Sequence, residues 1–496
     1  MIEPFFVLLI GVVGALLADS LARPHAQRDH YRMRTFHGVW ILVMCEIGLF
    51  GTFLAPSGNI TLALVLSLAL MLLISLASNA KNRVLGEPLL FSDLALLGPI
   101  VKHPQFYFSV LAFWQQVVGA LALVVLIGVL VWLFEPDKES ALAGVALSLG
   151  SLTLLALSLR MNAFARLAPR PDIENDVARL GLVPTLILYW LRWRKARLGL
   201  AASVGEAVEL DRVSAPPPNR RNELLVVVQC ESFAEPKDLF DRGGVDLPEL
   251  ARAREQSVQW GHLYVSGFGA YTMRTEYGVL FGKAEEALGF LLYDPYLTAQ
   301  DDPTPALPKK LGLAGWQSTF VHPHDMRFYS RHEIMPKAGF AALVGEDQFP
   351  KPPPETGRYV SDSDVGEKIL DIASGAQTRM LIYAVTMENH GPWAPHGDAH
   401  VTSMVDNYNR LVRASDAMLG QLLDGLNALG KPATLVFFGD HRPTIPGASD
   451  PGGDKHTPYA IVQFGKDRPL SEPCNQPVDL TPAQLHHVIM DLVEKP

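Results

Sequence analysis

Long apolar segments dominate the first 200 residues of this chain, and they limit what this half can fold into. Five of them lie at roughly 3–19, 36–55, 60–78, 108–134 and 140–159. Each approaches the roughly 20 residues that an α-helix needs to cross a bilayer. One such segment alone could be a buried core helix or a signal peptide, but five in succession predict a multi-span membrane domain. We therefore divide the chain into a membrane domain at 1–200, a polar, proline-containing linker at 201–221 and a soluble domain at 222–496.

Charge and cysteine content exclude some functions. The 42 basic and 51 acidic side chains give a net charge of −9, and no basic run is interleaved with aromatic residues, so nucleic acid is not an expected partner. Of the 3 cysteines, Cys45 lies in a predicted span and Cys230 ends a predicted buried strand. A structural disulfide is therefore not expected.

The orientation in the membrane is left open by the loops. The loops at 21–34 and after the third span are basic, so the positive-inside rule places both in the cytoplasm and the N-terminus outside. Five spans would then leave the soluble domain inside. A sixth crossing at Leu180–Trp193 would place it outside, but the Trp and Arg residues of this segment suit a helix at the membrane interface equally well.

Two strings in the soluble half end abruptly in chemically active side chains. LLVVVQC at 224–230 precedes Glu231, and TLVFFG at 434–439 precedes Asp440 and His441. Unbroken apolar runs of this kind predict strands buried on both faces of a mainly parallel α/β sheet, in which ligands bind beyond the carboxyl ends of the strands. Glu231, Asp440 and His441 are therefore predicted to converge as ligands of a divalent metal such as Zn²⁺ or Mn²⁺.

Further strands and a helix complete this predicted domain. The strands are predicted at Ser318–Val321, Met380–Thr386 and Tyr459–Phe464, and apolar periodicity predicts a helix over Asp406–Leu429. Strand, helix and strand in this order imply right-handed crossovers between parallel strands.

A glycine-rich turn followed by a helix start occurs at 266–282, SGFGAYTMRTEYGVLFG. Thr272 stands at the predicted helix N-terminus, where it could simply be an N-cap. Near a metal, however, its hydroxyl could be activated as a nucleophile, and the helix N-terminus would favour an incoming anion.

Together these residues resemble the sulfatase-like transferases of the lipoteichoic acid synthase and glucan phosphoglycerol transferase type, within the alkaline phosphatase superfamily. The matching motifs are Glu231-Ser232-Phe233, Thr272 four residues before Glu276, Tyr329-Ser330-Arg331, Asn389-His390-Gly391-Pro392-Trp393 and Gly439-Asp440-His441. The resemblance covers most of the chain and implies a multi-span bacterial membrane enzyme whose catalytic domain faces the periplasm or cell exterior.

The resemblance also implies a reaction. Thr272 would take a phosphoglycerol group from phosphatidylglycerol, forming a phosphothreonine diester, and pass it to a glycan or glycerol-phosphate acceptor. Glu231, Thr272, Asp440 and His441 would hold one divalent ion, with Mn²⁺ ahead of Mg²⁺ or Zn²⁺. The remaining site residues are His390, which would bind phosphate or protonate a leaving group, and Arg331, Tyr329 and His456, which would contact the substrate.

Purely structural roles remain possible for these residues, and other functions remain possible for the chain. His390 could belong to an ordinary turn, Arg331 to a solvated loop and His456 to the surface, while Asp440 could cap a turn at the strand end. The competing functions are phosphoethanolamine transfer, a sulfatase-like hydrolase and a non-catalytic membrane scaffold.

Overall fold

The computed structural model describes residues 2–24, 34–96, 113–203, 223–240, 242–300, 302–352, 358–394, 402–452, 454–465 and 476–494. The contacts divide the chain into two compact units, Met1–Ala196 and Arg197–Pro496. Most of the predicted linker, residues 108–112 of the fourth predicted span, and Cys474 lie outside the described residues.

The first unit is helical. Its helices are α1 Ile2–Ser20, α2 Phe36–Ser57, α3 Ile60–Leu85, α4 Phe113–Trp132, α5 Lys138–Arg160, α6 Asn162–Ala165, α7 Ile173–Leu180 and α8 Leu182–Ser203, with a 3-10 turn at Phe91–Leu96. The last residues of α8, from Arg197 on, belong to the second unit. Among the described residues, α2, α3 and α5 are long and apolar enough to cross a membrane, and Phe6–Ser20 is a shorter apolar helix.

Small residues allow α2 and α5 to pack closely, as is common between membrane helices. A side-chain carbon added at Gly51 would lie 2.6 Å from the carbonyl oxygen of Gly144. Ser148 donates a hydrogen bond to the carbonyl oxygen of Gly48 at 3.1 Å, and the hydroxyls of Thr52 and Ser148 are 3.2 Å apart. In a bilayer, such hydrogen bonds satisfy polar groups that lipid cannot.

The second unit is built on one seven-stranded sheet. Its strands are β1 Leu224–Cys230, β2 Ser257–Tyr264, β3 Gln317–Val321, β4 Ala342–Val344, β5 Met380–Val385, β6 Ala433–Gly439 and β7 His456–Phe464. Their order is β2-β7-β6-β1-β5-β3-β4. Strands β1, β3, β4, β5 and β6 are parallel, whereas β7 pairs antiparallel with both β6 and β2.

Helices cover the sheet. They are α9 Pro236–Leu239, α10 Pro248–Gln256, α11 Thr272–Phe281, α12 Glu285–Leu288, α13 Pro295–Thr298, α14 Leu307–Leu313, α15 Arg331–Ala338, α16 Asp362–Gly375, α17 Met404–Ala428 and α18 Pro482–Glu494. Short 3-10 turns lie at Gly289–Leu291, Phe328–Ser330 and Glu346–Gln348.

Burial explains why β1 occupies the centre of the sheet. All seven of its residues are buried, and it pairs in parallel with β5 on one side and β6 on the other. A strand with neighbours on both edges and helices on both faces is expected to be almost entirely apolar, and Gln229 is the one polar residue of β1. The predicted fold class, a helical membrane part followed by a mainly parallel α/β domain, is therefore confirmed.

Candidate active site

The carboxyl ends of β1 and β6 bring together three of the predicted metal ligands. Because these strands are parallel neighbours, Glu231 directly after β1 lies beside Asp440 and His441 directly after β6. Each of the three offers one ligand atom, and these atoms lie within 4.8 Å of one another. The His441 Nε2 atom is 3.4 Å from Glu231 Oε1 and 3.6 Å from Asp440 Oδ2. All three side chains are buried.

The two oxygens of Asp440 have different surroundings. Oδ1 accepts hydrogen bonds from the backbone N–H groups of Ser232 and His441, both at 2.8 Å, and these bonds fix the carboxylate plane. Oδ2 is buried without a hydrogen-bond partner. A buried carboxylate oxygen without a partner is costly unless a cation or proton satisfies it. Burial, and then the charge of Glu231, raise the pKa of Asp440.

The carboxylates of Asp440 and Glu231 also change the pKa of the His441 imidazole. Burial alone would lower the pKa of His441, but Asp440 and Glu231 outweigh it and raise this pKa. Two carboxylates and an imidazole that are buried together therefore favour a positive charge between them. This donor set fits a divalent metal ion. Carboxylate oxygens are ligands of Zn²⁺, Mn²⁺ and Mg²⁺, and the histidine nitrogen is a common ligand of Zn²⁺.

Thr272 is the first residue of α11, and it is not the helix cap. Tyr271 occupies the N-cap position, with no capping hydrogen bond from a side chain. Two contacts tie the start of α11 to the strand ends: Gln229 donates to the carbonyl oxygen of Thr272 at 3.4 Å, and Thr275 donates to that of Asp440 at 2.8 Å. The Thr272 hydroxyl is close enough to Asp440 to lower the pKa of that carboxyl, against the larger effects that raise it.

Backbone strain is concentrated around these residues. Ser232, Tyr271, Tyr329 and Ser330 all have positive φ angles, of 49°, 79°, 55° and 55°. Non-glycine residues in this conformation cost about 1–3 kcal/mol each and persist only where the surroundings impose them. The hydrogen bond from Ser232 N–H to Asp440 identifies one such constraint.

Arg331, predicted to contact the substrate, directs its guanidinium at Glu276. Its Nη2 donates to Glu276 Oε2 at 2.7 Å and its Nε donates to Oε1 at 3.3 Å, with both side chains buried. Tyr296 adds a hydrogen bond to Glu276 Oε1 at 2.6 Å. In this arrangement the guanidinium orients α15 against α11 and does not offer its fork to a ligand. The phosphate contact of Arg331 stays a prediction.

His322, a buried side chain that contacts Arg331, is not among the residues singled out from the sequence. Its Nε2 is 3.1 Å from Arg331 Nη1, and its Nδ1 is 3.0 Å from the carbonyl oxygen of Val385. Since the guanidinium and the carbonyl fix Nε2 as acceptor and Nδ1–H as donor, the ring is neutral. Burial and then the charge of Arg331 accordingly lower its pKa. His322 directly follows β3, so the strand-end argument that located Glu231 would have located it too.

His390 and Tyr329 lie near this centre. Asn389 donates to the carbonyl oxygen of Ser232 at 3.3 Å, which holds the following His390 close to the end of β1. The His390 ring is 5.7 Å from that of Tyr359. The Tyr329 ring lies 5.2 Å from the guanidinium carbon of Arg331. Burial raises the pKa of Tyr329, and the charges of Glu231 and Asp440 contribute in the same direction.

His456 belongs to a second cluster. Its Nε2 is 3.0 Å from Asp238 and 3.0 Å from the Arg442 guanidinium, and its Nδ1 lies close to Asp454. Arg442 also pairs with both aspartates. A guanidinium among the carboxylates already supplies the positive charge, so this ion-pair network is a poor metal site. The substrate contact predicted for His456 stays a prediction.

The chain thus combines a helical unit that holds membrane-length apolar helices with a mainly parallel sheet whose strand ends carry buried acidic and histidine side chains. The sulfatase family model matches residues 223–489, more than half of the chain. The chain belongs to the sulfatase family.

Two other proteins extend this comparison along the chain. A capsular polysaccharide biosynthesis protein, RkpI, of Rhizobium meliloti is 33% identical over 411 residues, covering 79% of this chain and 75% of that protein. The integral membrane lipooligosaccharide phosphoethanolamine transferase A (EptA) of Neisseria meningitidis has the same overall fold, with a TM-score of 0.59 and 13% identity. This likeness covers 99% of this chain and 94% of that one. The chain is thus a membrane protein with the sulfatase fold, as predicted.

Proposed function

We propose that this protein is a metal-dependent transferase that moves a phosphoglycerol group from phosphatidylglycerol to a glycan or glycerol-phosphate acceptor. The observation that carries the proposal is the buried convergence of Glu231, Asp440 and His441, with Thr272 beside Asp440. A bound divalent ion, Mn²⁺ first among the candidates, would lower the pKa of the threonine hydroxyl and neutralise charge on the phosphate.

The reaction proceeds in two displacements on phosphorus. The Thr272 hydroxyl first loses its proton to solvent, and its Oγ1 atom then attacks the donor phosphate as the bond to the diacylglycerol oxygen breaks. His390 gives a proton to that leaving oxygen. The acceptor hydroxyl then attacks the phosphothreonine diester, loses its proton to the same imidazole and displaces the threonine oxygen. Geometry supports these roles, because His390 lies on the turn that Asn389 ties to Ser232.

The glycan acceptor draws support from the relative that acts in capsular polysaccharide biosynthesis. We assign residues 1–200 to the membrane domain, 201–221 to the linker and 222–496 to the catalytic domain, which faces the periplasm or exterior, where glycan acceptors are found. With five crossings, this orientation puts the N-terminus in the cytoplasm and the basic loops outside, against the positive-inside rule.

The test uses the full chain in lipid vesicles with labelled phosphatidylglycerol or phosphatidylethanolamine. Release of diacylglycerol from phosphatidylglycerol, together with the mass of phosphoglycerol on Thr272, is the expected result. Release from phosphatidylethanolamine instead would replace the donor by the phosphoethanolamine alternative. Release of glycerol phosphate to water without transfer to an acceptor would make the enzyme a hydrolase.

A matched pair of threonine variants separates chemistry from helix capping. Thr272→Ala should abolish diacylglycerol release, whereas Thr272→Ser should retain some. Thr481→Ala is the control, since the Thr481 hydroxyl caps α18 by accepting from Gln484 N–H at 3.3 Å. The control should lose about 0.5–2 kcal/mol of stability with activity unchanged. Appreciable release by Thr272→Ala would remove Thr272 from the mechanism.

A further inference from the structure

The two halves of α8 have different surroundings. In the first half, Leu182, Leu188 and Tyr189 are at most 3% exposed and pack into the helical unit. The second half, which is the remainder of the helix from Trp190 on, carries Arg192, Arg194, Lys195 and Arg197, which are four cations within six positions. This helix ends at Ser203, shortly before the catalytic domain begins.

Hydrogen bonds and a ring contact hold α8 to one end of the helical unit. Val183 N–H donates to Asp19 in the last turns of α1 at 3.1 Å. Tyr189 donates to Asp176 of α7 at 2.8 Å. The Trp193 ring is 5.5 Å from that of Phe91, which follows α3. A helix held to the same end from Val183 to Trp193 lies at that end instead of crossing the bundle.

The same end carries most of the positive charge of the unit. Its basic side chains, within the described residues 2–196, are Arg23, Arg34, Lys81, Arg83, Arg160, Arg166, Arg170, Arg179, Arg192, Arg194 and Lys195. Its acidic side chains are Asp19, Glu87, Asp93, Asp172, Glu174 and Asp176. The connection between α4 and α5, at the opposite end, has Lys138 against Glu135, Asp137 and Glu139.

Internal partners account for several of these cations, among them Arg192 of α8. Arg34 pairs with Asp19, Lys81 pairs with Asp93 at 2.6 Å, and Arg192 donates to two backbone carbonyls. Arg194 and Lys195 are exposed.

An aromatic ring accompanies the exposed cations. The Trp190 side chain is 43% exposed, and the guanidinium carbon of Arg194 lies 5.6 Å from the centre of its ring. Tryptophan beside arginine and lysine is typical of protein surfaces at the level of lipid head groups, where the ring and the side-chain stems enter the apolar boundary and the charges meet phosphate.

We propose that the second half of α8 is an interaction surface for anionic phospholipid head groups. Charge complementarity identifies the partner: exposed cations at the end of a membrane bundle attract anionic lipid by about 5-fold per cation. The surface would enrich anionic lipid where the chain leaves the bundle. That this lipid includes the anionic donor rests on the proposed function.

The test measures lipid preference without catalysis. The full chain is reconstituted in phosphatidylcholine vesicles that contain 30% phosphatidylglycerol, with a spin-labelled quencher on either lipid. We expect labelled phosphatidylglycerol to quench tryptophan fluorescence more strongly than labelled phosphatidylcholine at equal content. Arg194→Gln/Lys195→Gln should reduce this preference several-fold, and salt should reduce it in the wild type.

Two further double variants test whether a reduced lipid preference comes from the loss of charge on α8. Arg194→Lys/Lys195→Arg preserves the charges and should preserve the preference. Lys309→Gln/Arg413→Gln removes two exposed cations of the catalytic domain and should leave it unchanged. Equal quenching by the two labelled lipids in the wild type, or an unchanged preference in Arg194→Gln/Lys195→Gln, would overturn the proposal.

Donor turnover gives a second readout. Diacylglycerol release from vesicles should fall in Arg194→Gln/Lys195→Gln, whereas turnover of a water-soluble short-chain phosphatidylglycerol should be unchanged. Equal losses with both donors would indicate a folding defect and count against the lipid surface. If no donor reacts with the wild type, the proposed function fails, while the quenching measurement still tests the surface.

Discussion

Glu276→Gln tests whether the buried ion pair behind the nucleophile helix holds the site together. The substitution keeps the size of the side chain and an oxygen that can accept from Tyr296, but it leaves the Arg331 charge unpaired. Both partners are buried, with side-chain exposures of 1% and 0%. Removing one member of a buried ion pair costs about 3–5 kcal/mol, because the other charge stays desolvated.

The expected loss is large enough to measure as a melting temperature. A domain of this size shifts by about 2 °C per kcal/mol, so Glu276→Gln should lower the transition of the catalytic domain by roughly 6–10 °C. Calorimetry of the full chain in detergent gives the value. Metal content should be unchanged, since Glu276 offers no ligand to the cluster of Glu231, Asp440 and His441.

Two comparisons make the result specific. Asp424→Asn breaks an ion pair with Arg252 in which the aspartate side chain is 76% exposed, and should cost less than about 1 kcal/mol. Glu276→Gln/Arg331→Met removes both charges and should recover part of the loss. A shift for Glu276→Gln no larger than that of Asp424→Asn would refute the argument.

Further predictions address the metal, acid stability, helix packing and topology. Asp440→Asn should lower metal bound per chain more than tenfold by elemental analysis, and wild-type metal content would exclude this site. His486, whose pKa burial and then Lys310 lower to about 3, stays neutral in the fold while the unfolded form binds a proton below about pH 6.5. The stability it contributes is complete above that pH and falls by about 2 kcal/mol on reaching pH 5. The free energy of unfolding, measured by denaturation above pH 6.5 and at pH 5, should change less with pH in His486→Gln than in the wild type. An equal change in both proteins would contradict this. Gly51→Val should destabilise the helical unit by about 1–3 kcal/mol in thermal melts, whereas Gly150→Val, with no atom within 4 Å of the added carbon, should not. A reporter fused after Pro496 should be active only outside the cytoplasm, and cytoplasmic activity would reverse the proposed orientation.

The sequence alone determined those features that depend on local pattern. Burial on both faces requires a continuous apolar run, so β1 and β6 could be located from their residues, and with them the ligands that follow each strand. A bilayer likewise requires long apolar helices, which located the membrane part. In both cases the surroundings of the segment fix its composition.

Tertiary structure decided which distant groups become partners. Arg331 finds Glu276 from 55 positions away, and His456 joins Asp238 and Arg442 instead of the cluster at the strand ends. Likewise, α8 joins the end of the helical unit through Asp19, 164 positions earlier. Charged side chains do not reveal their partners by spacing, because a buried charge pairs with whatever opposite charge the completed fold brings near it.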